Sequence, residues 1–68
     1  MIYCYLVERL DSADNYTEEA TFDCIDDARE YIGDCQRDAA VTYRILELTY
    51  IFDDTDLVEV IEHGEVTP

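Results

Sequence analysis

Four stretches of the chain have side-chain patterns typical of β-strands, in which successive residues face opposite sides with a period of two. The stretches 2–10 and 41–52 carry apolar side chains at both odd and even positions, so we expect the first of them at the centre of a sheet. The stretch 16–22, YTEEATF, has the pattern of a half-exposed strand, and 57–62, LVEVIE, is predicted to be the last strand. The polar segments DSADN and DDTD are predicted to be turns.

Between the second and third strands the apolar residues follow the period of a helix. Asp23 is a suitable N-cap, and Asp26 at the third helical position would place negative charge by the positive end of the helix dipole, so the helix is predicted to begin near Cys24. Seven apolar residues fall within an arc of about 120° on this helix and are expected to face the core. They are Cys24, Ile25, Ala28, Tyr31, Ile32, Cys35 and Ala39.

The order β-β-α-β-β predicts an α+β fold with a four-stranded, mainly antiparallel sheet and one helix packed on one of its faces. We expect a single domain over residues 1–68, with a tail at 64–68 that frays. A strand order of 2-1-4-3, as in β-grasp folds, is the first choice, because a right-handed crossover through the helix can place the first and last strands together. Other orders remain open.

One helix can cover only one face of such a sheet, so the other face is expected to be partly exposed. The candidates for this exposed face are Tyr3, Tyr5 and Val7, or their counterparts Tyr43 and Tyr50. A Tyr-rich face of this kind would hold a second copy of the chain or a partner protein. The alternative is that long side chains and loops cover it, so both a monomer and a homodimer remain open.

The charge of the chain changes this picture. The 68 residues include 18 Asp and Glu, four arginines, no lysine and one histidine, for a formal charge of −14. Self-repulsion on that scale destabilises a compact state. However, a hydrophobic fraction of 49% with six Tyr and two Phe is too high for a disordered acidic tail, so we expect a folded domain with an anionic surface. No secretory signal or membrane-spanning stretch is found in the sequence, which predicts a cytoplasmic protein with no membrane partner.

The sequence offers no pattern typical of a catalytic or metal site. Cys4, Cys24, Cys35 and His63 have the composition of a Cys₃His zinc centre, but Cys24 and Cys35 would lie about 16 Å apart on one helix and cannot share an ion. The acidic turns lack the glycine and the alternating ligands of an EF-hand loop. No catalytic triad, phosphate-binding loop or metalloprotease motif is present, so we expect no enzyme, no cofactor and a solvated His63.

Carboxylates instead recur at intervals of four residues on the predicted helix, where like charges destabilise it by about 0.2–0.5 kcal/mol per pair. We expect these carboxylates, together with others on the second strand and the last hairpin, to form rows of negative charge that bind a partner. The helix contributes Asp26, Asp27, Glu30, Asp34 and Asp38, and the strands and turn contribute Glu18, Glu19, Asp53, Asp54, Asp56, Glu59 and Glu62.

In size, acidity and β/α composition the whole chain resembles the small phage-encoded inhibitors that act as DNA mimics, including anti-CRISPR and anti-restriction proteins. The resemblance rests on these overall properties and on no shared motif. It implies a non-enzymatic inhibitor in the host cytoplasm, whose acidic surface occupies the nucleic-acid cleft of a basic protein such as a CRISPR effector or a restriction enzyme. It also implies that the chain does not bind nucleic acid directly.

Two other functions fit the same acidity. An immunity-like or antitoxin-like protein would use an acidic face to bind one basic partner that does not itself bind nucleic acid. A protein adapted to concentrated salt would also have abundant Asp and no Lys, because salt screens its self-repulsion. The salt dependence of its stability distinguishes this last possibility, since such a protein unfolds in dilute buffer.

Overall fold

The computed structural model describes residues 2–51 and 56–68, with side chains described for 3–50 and 57–68. The strands of the described chain pair antiparallel in one sheet with the order β2-β1-β3-β4. The predicted α+β class, with a four-stranded antiparallel sheet and one helix, is confirmed. The elements are β1 (Ile2–Leu10), β2 (Tyr16–Phe22), α1 (Ile25–Asp38), β3 (Tyr43–Ile51) and β4 (Asp56–Val66).

The helix α1 begins one residue later than predicted. Its N-cap is Cys24, whose side chain makes no capping hydrogen bond, and Asp23 therefore lies outside the helix. Asp26 holds the second helical position rather than the third, with Asp27 beside it in the first turn. The predicted N-cap was wrong. The electrostatic argument for a helix that starts here still holds, because the carboxylates of Asp26 and Asp27 both lie by the positive end of the helix dipole.

The last strand is longer than the sequence predicted. Glu65 and Val66 still pair with β3, so only residues 67–68 follow the strand. The strand continues past Gly64, whose φ of +84° is a conformation that glycine adopts without strain. The predicted end of the third strand at Phe52, and most of the turn that follows it, lie outside the described residues.

The predicted strand order 2-1-4-3 is wrong, because β3 rather than β4 pairs with β1. β2 and β3 both run antiparallel to β1, and α1 connects them across the face of the sheet, where it contacts β1 and β2. A strand that is apolar on both faces is best buried between two neighbours. β1 and β3 both have this pattern and take the two central positions, which leaves β4 at the edge.

The hydrophobic core lies between α1 and one face of the sheet. Its fully buried members, each at most 4% exposed, are Val7, Ala28, Ile32, Tyr43 and Ile45. Phe22, Ile25, Tyr31 and Cys35 pack around them and are partly buried. The middle of the apolar helical stripe therefore faces the core as predicted, whereas its two end residues, Cys24 and Ala39, are exposed.

The face of the sheet that was predicted to be open is mostly the covered one. Val7 and Tyr43 are 0% and 4% exposed, and Tyr5 packs against them beneath the helix. Tyr3 lies on the same side of β1 by alternation and remains 51% exposed. Tyr50 lies on the opposite side, which α1 does not cover. The prediction is wrong for Val7 and Tyr43, because β1 is apolar on both faces and its pattern does not reveal which face the helix takes.

Burial raises the pKa of Tyr31 on α1 and of Tyr43 in the core beneath it. The pKa of Tyr31 rises to about 12, first through burial and then through its hydrogen bonds and charge interactions with Cys35 and Glu19. Burial, and then Cys35, also raise the pKa of Tyr43. A tyrosine in the unfolded chain titrates near pH 10. As the pH rises, the tyrosine hydroxyls therefore lose their protons in the unfolded state before they do in the folded state. The stabilisation of the folded state by these two groups is complete below about pH 10 and is lost as the pH rises towards about 12.

We accordingly expect the free energy of unfolding to fall steadily between about pH 10 and pH 12. Denaturant unfolding measured at several pH values, with tyrosinate absorbance followed in parallel, checks this expectation. Replacing Tyr31 with Phe removes one of the titrating groups and should flatten the pH dependence. A free energy of unfolding that stays constant over this range would contradict the raised pKa of these two tyrosines in the folded state.

Candidate acidic binding surface

The predicted row of carboxylates on α1 forms one exposed face of the helix. Ala28 and Ile32 are buried against the sheet, so side chains on the other side of the helix point into solvent. We call this side the acidic helix face. Its members, all exposed, are Asp26, Asp27, Glu30, Asp34 and Asp38.

The spacing of these carboxylates follows from helix geometry. Steps of four residues raise the row by about 6 Å each, so the distance from Asp26 to Asp38 along the axis is about 18 Å. Each step also turns by about 40°, and the row is therefore inclined across about 120° of the helix surface. With Asp27 inside this arc, the face carries about one carboxylate per 4 Å, compared with one charge per 3.4 Å for a strand of duplex DNA. The spacing of its carboxylates therefore approaches the spacing of phosphates along a nucleic-acid strand.

Two arginines reduce the charge of α1 without removing its sign. Arg37 forms an ion pair with Asp34, and their side chains are 76% and 56% exposed. A pair this exposed contributes at most about 1 kcal/mol, so a stronger partner can replace either group. Arg29 is also exposed. With five carboxylates and two guanidinium groups, the helix keeps a net charge of −3.

The strand carboxylates that were predicted to extend this surface are divided between the two faces of the sheet. Glu19 lies on the helix side, where its Oε1 accepts a hydrogen bond from the Tyr31 hydroxyl at 3.2 Å. Glu59, on the edge strand β4, also faces the helix side. Glu18 and Glu62 face the opposite side. Because β2 and β4 form opposite edges of the sheet, the structure does not unite these residues into one row.

Three further predicted members belong to the last hairpin. Asp53 and Asp54 lie outside the described residues. Asp56 begins β4, and its side chain is outside the described part of the chain. The acidic helix face is therefore the part of the predicted surface that the structure brings together.

A charged cluster that the sequence did not reveal lies on the side of the sheet away from α1. Arg44 Nε donates to Glu8 Oε1 at 2.6 Å, and Arg44 Nη1 lies 3.8 Å from Glu62 Oε1. The guanidinium group also stacks over the ring of Tyr16, 3.9 Å from its centre. Glu8 and Arg44 are directly opposite in the β1–β3 register, which a single sequence does not specify. In the sequence, only the opposite charges of Glu8 and Arg44 on two predicted strands could have indicated this contact.

His63 has a partner that the sequence prediction of a solvated histidine did not include. Its Nε2 lies 3.0 Å from Glu47 Oε1, and its ring lies 6.3 Å from that of Tyr5. This contact fixes the orientation of the imidazole on the edge strand.

The cysteines do not assemble into a metal site in the described residues. Cys24 is exposed, and Cys4 and Cys35 are partly buried. Over residues 2–51 and 56–68, no group of three or more His, Cys, Asp and Glu side chains is placed to hold a metal ion.

Two other findings concern membrane insertion and similarity to known proteins. No helix in the described part of the protein has the length and apolar character needed to cross a membrane. Comparison with protein-family models, with curated proteins and with solved structures finds no match to this chain.

Proposed function

We propose that this protein is a non-enzymatic inhibitor that uses the acidic helix face to occupy the nucleic-acid-binding cleft of a basic protein. The observation that carries the proposal is the density of exposed carboxylates along α1. A cleft that binds nucleic acid is lined with Lys and Arg spaced to meet phosphates. A rigid row of carboxylates at nearly the same linear density can compete for those cations.

The cost of this surface in the free protein supports a role in binding. The row contains three like-charged pairs at a spacing of four residues, which together destabilise α1 by about 1 kcal/mol. A domain of this length has a total stability of only about 3–10 kcal/mol. Contact with a cationic cleft would replace this repulsion by attraction, and long-range steering would also accelerate association.

The target class follows from the same chemistry and from the resemblance to phage-encoded DNA mimics. CRISPR effectors and restriction enzymes hold nucleic acid in basic channels and are the proposed targets. On this proposal the inhibitor acts in the host cytoplasm and excludes the nucleic acid by occupying its site. The acidic protein itself binds no nucleic acid, because like charges repel.

The proposal is tested by displacement. The protein is first used to capture partners from nuclease-treated host lysate at low salt, and the captured protein is purified and loaded with its own labelled nucleic acid. We expect the inhibitor to release the label, and we expect its affinity to fall as salt rises.

The order of addition supplies the control. Target that already holds its nucleic acid should bind the inhibitor more weakly than empty target. Equal binding to loaded and empty target would contradict mimicry and would favour a binding site outside the cleft. A partner that binds no nucleic acid would instead favour an immunity-like function.

A further inference from the structure

The side of the sheet that α1 does not cover carries an unusual number of apolar side chains. In an antiparallel sheet with one face in water, the residues of that face are usually polar. We call this side the open sheet face. Its apolar members are Cys4, Leu6, Leu46, Leu48, Tyr50, Leu57 and Val60.

These side chains form a continuous patch because the strand register aligns them. Cys4, Leu48 and Val60 lie opposite one another across three strands, and Leu6 lies opposite Leu46 in the next row of the same face. Val60 is 51% exposed, and so is Leu57 on the same edge strand. A contiguous apolar patch of this kind marks an interaction surface more often than a solvated one.

The patch has a polar boundary at one end. There Glu8 and Arg44 replace the apolar pairs, with Glu62 beside them. An apolar centre with a charged rim is the usual anatomy of a protein interface.

The position of the acidic helix face is compatible with a second copy of this chain as the occupant. The acidic helix face lies on the far side of the sheet, so two copies that stack their open sheet faces keep their helices outermost. With about 10 Å between stacked sheets and about 10 Å from each sheet to its helix, the two helices lie about 30 Å apart. This exceeds the Debye length of about 8 Å at physiological salt, so the repulsion between the helices is largely screened.

The available area also suits a second copy. Four strands about 4.8 Å apart and about 30 Å long present about 570 Å² per copy, and two such faces bury about 1,100 Å² together. A stable biological interface needs about 1,000 Å² or more. The open sheet face reaches that size only if most of it is covered, its polar end included, which a second sheet of the same dimensions and twist can do.

We propose that the protein forms a symmetric dimer in which the open sheet faces of two copies stack as a sandwich. A two-fold axis parallel to the strands places β1 of one copy against β3 of the other, so the apolar rows meet and the polar ends of both copies lie side by side at one edge of the interface, where salt screens the repulsion between their carboxylates. The dimer then presents two acidic helix faces in opposite directions. This inference does not depend on the proposed function.

The test uses two adjacent positions on β4 that face opposite sides of the sheet. Val60 is on the open sheet face and Ile61 is on the helix side, and their exposures of 51% and 40% mean that neither substitution disrupts the core. In sedimentation equilibrium, the wild-type protein should dimerise with a Kd of about 1–100 µM. Val60→Glu should raise this Kd by about tenfold or more, because each dimer would bury two new carboxylates. Ile61→Glu adds the same charge and should leave the Kd within about twofold.

Three results would overturn the dimer: a wild-type protein that stays monomeric at about 1 mM, equal effects of the two substitutions, or a larger effect of Ile61→Glu. Thermal unfolding of each variant at high dilution separates a loss of dimer from a loss of fold. Salt separates this inference from the proposed function. Dimerisation should strengthen between about 0.05 and 0.5 M salt as repulsion is screened, whereas binding to a basic cleft should weaken.

Discussion

Replacing Ile32 with Ala will lower the free energy of unfolding by about 2–4 kcal/mol. Ile32 is 1% exposed and packs between α1 and the sheet, in the same cluster as Val7, Tyr43 and Ile45. Deleting its outer atoms removes apolar surface from the core and leaves a cavity that α1 can fill only in part. In a domain of this size the melting temperature should fall by about 10–30 °C. Denaturant and thermal unfolding at low protein concentration measure both quantities.

The neighbouring position supplies the control. Gly33 is exposed on the other side of α1, and apart from its chain neighbours and the helix backbone no atom lies within 4 Å of the place where a Cβ would be added. Gly33→Ala should therefore stabilise the protein by about 0.5–1 kcal/mol through helix propensity alone. If Ile32→Ala cost less than about 1 kcal/mol, the helix would not be packed on the sheet as described.

The secondary structure could be predicted because each element has a regular period. The strand from Tyr16 to Phe22 matched the sequence prediction at both ends, and the helical stripe placed Ala28 and Ile32 in the core. The strand order could not be predicted in the same way, because β3 and β4 both have apolar residues and either strand could pair with β1. The pattern of β3, which is apolar on both faces, favoured a central position, but the connection rules alone allowed β4 there as well.

The candidate site was predictable where it depended on a helix and not where it depended on strands. Residues four apart on a helix always share a face, so the positions of Glu30 and Asp34 followed from the sequence. On β2 a register shift beside Glu18 changes the pairing with β1, and β4 has two such irregularities. Each bulge adds a residue and reverses the alternation beyond it, so the faces of Glu59 and Glu62 required the structure.

The same limitation explains why the charged cluster around Arg44 was missed. Its members come from three strands, and their contact depends on the register of β1 against β3 and of β3 against β4. Opposite charges are common in any sequence of this composition, and only the register selects Glu8 as the partner. A helix positions its side chains by local geometry, whereas a sheet positions them by long-range pairing.

The second large effect concerns the acidic helix face. Replacing Glu30 with Gln and Asp34 with Asn together removes every like-charged pair in the row, because these two residues lie between Asp26 and Asp38. Removing the three repulsive pairs stabilises the helix by about 0.6–1.5 kcal/mol. Losing the ion pair between Asp34 and Arg37 costs about 0.2–0.5 kcal/mol. The free protein should therefore become more stable by about 0.1–1.3 kcal/mol, which denaturant unfolding measures.

Binding should respond in the opposite direction. On the proposed function, each of the two carboxylates contacts a cation of the target, so the double variant should bind the captured target about ten times more weakly or worse. Asp14→Asn with Glu65→Gln is the matched control, because it changes the net charge equally at two exposed sites away from α1. Calorimetric titration of the target with both variants measures the difference. If the control weakens binding as much as the α1 variant, overall charge and not the acidic helix face governs recognition.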